Sequence, residues 1–146
     1  MRIRTTASRL IRAPRERVFS TYADWQGWDR LFPLTIRGTK LVTSDGDTKT
    51  IAVDHRTEGT VTNVMQLAPP GEIRLEEWKP DYDARFVKRF DEVPGGTHYT
   101  VDAEVTLKGV LALAAPIAKP FVRARIRRFV LEPMARAVEP AVRLNT

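Results

Sequence analysis

Cysteine is absent from the 146-residue chain. That absence excludes disulfides, thiolate metal ligands and a cysteine nucleophile together. Histidine is scarce: His55 and His98 are the only two, too few for a histidine-built metal centre. Long apolar runs are missing as well. The longest, Val110 to Ala118, has nine residues with Pro116 inside it, which is too short for ~30 Å of hydrocarbon. The opening Met1-Arg2-Ile3-Arg4-Thr5-Thr6 holds no apolar stretch of the secretory kind, so no signal segment is expected and a cytoplasmic location is the default. No Gly-rich phosphate loop, H-E-x-x-H, G-x-S-x-G or EF-hand loop occurs. These absences disfavour nucleotide hydrolysis, zinc chemistry and triad hydrolysis. No metal and no cofactor is expected.

What is present suits one globular domain over residues 1–146. Apolar residues make up 42% and charged residues 29%. At this length a fold buries roughly 70% of the unfolded surface. Net charge is +6 and the pI is about 10.1. A basic balance invites nucleic acid or anionic membrane as partners. The charge is unevenly spread, however. Residues 1–30 carry 7 basic and 3 acidic groups, residues 31–108 carry 10 and 13, and residues 109–146 carry 7 and 2. The positive excess therefore sits at the two ends of the chain. That weakens the case for nucleic acid and leaves peripheral membrane contact open.

Turn signals punctuate the middle of the chain. Ser44-Asp45-Gly46-Asp47, Thr57-Glu58-Gly59, Pro69-Pro70-Gly71, Lys79-Pro80-Asp81 and Val93-Pro94-Gly95-Gly96 delimit six extended segments, 35–43, 48–56, 60–68, 72–79, 84–92 and 97–108. Links this short force antiparallel neighbours. The last segment alternates most cleanly, with Tyr99, Val101, Ala103, Val105 and Leu107 on one face and Thr100, Asp102, Glu104 and Thr106 on the other. A seventh strand is expected at about 2–12. Pro14 suits the start of a short helix running to about Tyr22. Asp24 can cap a second short helix holding Trp25, Trp28 and Leu31, with Pro33 at its end. From Pro120 to about Val142 the apolar Val122, Ile126, Phe129, Val130, Pro133 and Ala137 fall on one arc at 3.6 residues per turn. Arg125, Arg128, Glu132, Arg136 and Glu139 fall opposite. Pro133 predicts a kink near 129–133.

The expected fold class is α+β: one strand, two short helices, six antiparallel strands, then one long helix. A curved seven-stranded antiparallel sheet would close around that helix. This order, with Ile11-Arg12-Ala13-Pro14-Arg15-Glu16-Arg17-Val18-Phe19 followed by Asp24 and Trp28, resembles the START-like helix-grip (SRPBCC) superfamily. Within it the chain looks most like the polyketide cyclase/dehydrase and coenzyme Q-binding, lipid-transport group. The resemblance implies a cavity between sheet and C-terminal helix that takes a hydrophobic small molecule such as a lipid, quinone or polyketide. It also implies a minority alternative, a cyclase, aromatase or dehydratase acting in that cavity. No catalytic motif of that minority carries over residue by residue.

Under this reading Phe86, Phe90, Tyr99 and Val101 face the ligand from the strands. Val122, Ile126, Phe129 and Val130 face it from the helix. Trp25 and Trp28 form either an aromatic gate or ordinary packing on the sheet edge. His55 shares the parity of Ile51 and Val53, and so is an inward acid/base candidate or a strand-end histidine; His98 faces water. Lys88 lies between Phe86 and Phe90 in parity, and Glu77 shares the parity of Ile73 and Leu75. They form either an internal polar pair or, with a bulge that brings Trp78 inward, a surface one. Arg123 and Arg127 are candidate rim cations for an anionic head group, or part of a solvated face. Val110 to Ala118 reads as a mobile lid, a bilayer contact or a packed turn. A basic-surface module for RNA, the ribosome or an anionic membrane is the third reading. The oligomeric state is open between monomer and homodimer.

Overall fold

The computed structural model describes residues 2–139. Strand β1 (Arg2–Ile11) is followed by helix α1 (Arg15–Ala23), a 3-10 turn (Trp25–Gly27) and the short helix α2 (Trp28–Leu31). Strands β2 (Ile36–Asp45), β3 (Thr48–His55), β4 (Gly59–Ala68), β5 (Glu72–Trp78), β6 (Tyr82–Val93) and β7 (Gly96–Leu107) come next. They form one antiparallel sheet in the order β1-β7-β6-β5-β4-β3-β2. The chain then runs through a 3-10 stretch (Gly109–Ala114), helix α3 (Ala115–Ile126), a π turn (Arg127–Leu131) and helix α4 (Glu132–Val138). This is the helix-grip architecture. The expected end of the last helix near Val142 lies outside the described residues.

Alternation builds the sheet. Tyr99, Val101, Ala103, Val105 and Leu107 of β7 are all buried. Their outward neighbours carry cross-strand ion pairs, such as Arg2 Nε with Glu104 at 2.9 Å. Such exposed pairs contribute little, about 0–1 kcal/mol each, so inward burial fixes the register. The β6–β7 hairpin needs a glycine where it meets β1. Gly96 has φ +152, and a Cβ there would collide with the carbonyl oxygen of Ile11. Thr97 beside it donates its hydroxyl to the Ala13 carbonyl at 2.7 Å, clamping the turn that leads into α1.

The arc expected on the C-terminal helix is only partly right. Ile126 is buried and Val122 and Val130 are half-buried, but Ala137 is exposed. The buried set after Ile126 is Leu131, Met134, Ala135 and Val138. The cause is the π turn, in which the Glu132 N–H bonds to the Arg127 carbonyl five residues back. One extra residue in the turn advances the inward face by one position, from a 126–130–133–137 series to 126–131–135–138. The wider turn also accommodates Pro133, whose missing N–H and ring would break a regular α ladder. The kink expected near 129–133 thus takes the form of a π turn.

Candidate functional site

The inward face of the sheet is mostly apolar, with Lys88 of β6, Asn63 of β4 and Glu77 of β5 as buried polar side chains on it. Lys88 of β6 points inward between Phe86 and Phe90 and is only 3% exposed. Its ammonium sits over the Tyr22 ring of α1, 3.9 Å from the centroid, and 5.8 Å from that of Phe86. Burial lowers its pKa from 10.5 to about 7, with Glu77 pulling the other way. A large share of the amine is therefore neutral near pH 7.

The ladders β4–β5 and β5–β6 run without a register shift through Glu76 and Glu77. There is no bulge, so Glu77 is buried and Trp78 is turned out, 47% exposed. Glu77 meets Lys79 at 3.5 Å. Lys79 also pairs with Glu58 and donates to the Tyr82 hydroxyl at 2.7 Å. Burial pushes the Lys79 pKa down, but Glu77, Glu58 and Tyr82 together hold it above its ordinary value. Lys79 is thus a fixed cation paired with Glu77, and Lys88 a titratable one that feels Glu77 without pairing with it. His55 is half-buried at the end of β3; burial and then the Lys79 charge lower its pKa. His98 is exposed. Sequence reasoning missed Lys79 and Glu58 because they sit in turns. The available signal was that Lys79 continues the parity of Glu77 up to Pro80.

Two further polar groups belong to this interior. Tyr99 is fully buried, stacked on Phe90 at 5.0 Å, and its hydroxyl has no hydrogen-bond partner among the described residues. Burial raises its pKa, so it stays a neutral phenol. Asn63 of β4 is buried in register with Glu77 and reaches only the Val61 carbonyl, at 3.4 Å.

The remaining candidates are placed differently. Phe90, Tyr99 and Val101 are core, and Phe86 and Val122 are half-buried where the two core clusters meet. Ile126 is buried and Val130 packs partly against the core. Phe129 is half-buried but not part of the core: it lies between the Arg125 and Arg128 guanidinium groups, each 5.2 Å from its ring, and lines a depression against α2 with Leu31 and Phe32. Trp28 is buried and donates Nε1–H to the Tyr22 carbonyl at 2.7 Å, while Trp25 is half-buried with its carbonyl bonded to Thr39. Both therefore pack α2 and the 3-10 turn onto the sheet. Arg123 Nε donates to Thr5 Oγ1 of β1 at 3.1 Å, and Arg127 is exposed.

Between sheet and C-terminal helix, Ile51, Met65, Ile73, Phe90, Tyr99, Leu131 and Met134 are each fully buried. Two depressions, of about 410 and 230 Å³, lie away from these side chains. They are bounded by α1, α2 and α4, from Ser20 and Asp24 to Phe129 and Ala137. Among the described residues no cluster of three metal-ligating side chains occurs, and no helix is long and apolar enough to cross a membrane.

A helix-grip sheet with a few buried polar groups on its inner face defines the class, and comparison with known proteins gives the family. The family described as polyketide cyclase / dehydrase and lipid transport matches residues 2–139, so the chain belongs to it. No curated protein sequence matches the chain. Among solved structures it is similar to the di-domain ARO/CYC BexL of the BE-7585A biosynthetic pathway, with TM-score 0.77 and 19% identity over 95% of this chain and 50% of that one. The chain thus spans half the length of that di-domain protein. It is also similar to the Zhui aromatase/cyclase from Streptomyces sp. R1128, with TM-score 0.69 and 15% identity over 91% and 87%. A START superfamily protein from Mycobacterium smegmatis matches with TM-score 0.64 and 15% identity over 94% and 96%. At these identities the shared property is the fold.

Proposed function

We propose that the protein binds a small hydrophobic molecule carrying a carbonyl or similar polar group, held between the concave sheet face and the C-terminal helix. The observation that carries this reading is Lys88. An amine buried under an aromatic ring, with no ion pair among the described residues, is costly to keep unless something uses it. A ligand oxygen would give Lys88 and the unpartnered Tyr99 hydroxyl the hydrogen bonds they lack. The seam at Phe86 and Val122, under α3, is the natural way in. Methyl NMR of the intact chain with a hydroxylated anthraquinone as probe tests this. Shifts are expected at Ile73, Met65 and Met134, with binding at least ~10-fold weaker in Lys88→Met, the size of one lost charge-assisted hydrogen bond. Shifts confined to surface methyls, or equal affinity for Lys88→Met, would overturn it.

The second reading is an enzyme of the cyclase or dehydratase type in the same space. It is favoured by the near-neutral amine of Lys88 on the same inner face as the carboxylate of Glu77. Such an amine can take a proton from the carbon next to a carbonyl, and a packed interior would hold the reacting chain in place. Reductive trapping with an aromatic aldehyde and cyanoborohydride at pH 7 reports on it. Lys88 should be labelled ahead of the exposed Lys40 and Lys49; labelling of surface lysines alone counts against it.

A further inference from the structure

The stretch from Gly109 to Phe121 leaves large apolar side chains in water. Val110 is 83% exposed, Leu113 82%, Ile117 77% and Phe121 63%. Their spacing of three, four and four residues sets them on one stripe, while Ala112 and Ala115 on the other side pack into the core. The stripe is about 18 Å long, at 1.5–2.0 Å per residue. A monomer rarely keeps so continuous an apolar surface without a use for it.

The charge around it says what that use is. Residues 109–131 contain Lys119, Arg123, Arg125, Arg127 and Arg128 and no acid. The nearest acids downstream, Glu132 and Glu139, pair with Arg136 and Arg12. The Arg125 guanidinium lies beside the stripe, 5.8 Å from the Phe121 ring. A second copy of this face would bring Arg125, Arg127 and Arg128 against their own counterparts. Nucleic acid would meet the cations but offer nothing to Leu113 and Ile117. An anionic bilayer meets both, because apolar side chains enter the acyl boundary while arginines meet head groups.

We propose that the segment Gly109–Arg128 docks the protein peripherally on anionic membranes, with Val110, Leu113, Ile117 and Phe121 inserted and Arg125, Arg127 and Arg128 at the head groups. This goes beyond the ligand-binding reading and stands independently of it. The test is flotation of the full chain with vesicles of phosphatidylcholine, with and without phosphatidylglycerol. Binding is expected only to the anionic vesicles and should fall with added salt. The double variant Ile117→Glu with Phe121→Glu should lose about tenfold or more, with an unchanged unfolding midpoint because both side chains are already exposed. The variant Arg125→Glu with Arg128→Glu should lose the preference for phosphatidylglycerol. No binding to anionic vesicles at low salt overturns the proposal, as does binding indifferent to Ile117→Glu and Phe121→Glu. A dimer in sedimentation that these changes dissolve also overturns it, by assigning the stripe to a second copy.

Discussion

Lys88 gives the clearest consequence of a single side chain. Its pKa is about 7 when folded and returns to the ordinary 10.5 when the chain unfolds. Between those values the unfolded chain holds a proton that the folded chain has released, so stability rises with pH across about 7 to 10.5. Below about 7 both states are protonated and the full burial penalty is present. Lys88→Met removes this dependence. The variant should be more stable than the parent at pH 7, by on the order of a few kcal/mol, and the gap should close towards pH 10. Urea midpoints of both chains at several pH values measure it. A constant gap would mean that Lys88 is solvated. The inward positions of Lys88 and Glu77 are legible only as one of two alternatives, because a bulge would have swung both charges out and hidden Trp78 instead of leaving it exposed. A single sequence carries no direct sign of whether a strand has a bulge.

At the scale of elements, the seven strands follow from turn residues and period-two patterning, both local properties of the chain. The C-terminal helix does not. A wheel drawn at one pitch assumes that every turn is α, and one π turn displaces everything after it. That is why Ala137, expected inward, is exposed and Phe129 is only half-buried, while Leu131 and Met134 are core. The same geometry makes a prediction. Deleting Arg128 forces the segment back to α geometry and leaves Leu131, Met134 and Val138 on the inward face. Pro133 then clashes with the preceding turn, at a cost of about 3 kcal/mol. Adding Pro133→Ala to the deletion should restore most of that loss. Thermal unfolding of the two variants decides it. If the double change is no more stable than the deletion alone, the proline is not what the π turn accommodates.

Across the whole molecule, burial is uneven. The β1-β7-β6 side is dense, with Ile11, Phe90, Tyr99 and Val101 inaccessible to solvent. Strand β2 is exposed along almost all of its length from Arg37 to Asp45. Amide hydrogen exchange should follow this, slowest in β6 and β7 and faster by orders of magnitude in β2 and in Gly109–Ala114. Uniform protection would contradict a loosely held flank. How tightly the interior packs was not legible beforehand. Strand parity says which side chains face inward, but not how completely they fill the space between sheet and helix; that depends on where Met65, Leu131 and Met134 meet in three dimensions.

Strand β2 has one more consequence. It is an open margin of the sheet, and its pairing with β3 slips twice, between Ile36 and Gly38 and between Leu41 and Thr43. Lys40 stands exposed between those irregularities. A stranger chain seeking to extend the ladder there would find donors and acceptors out of step and a charge in the way. Strand β2 is therefore a poor template for a further strand.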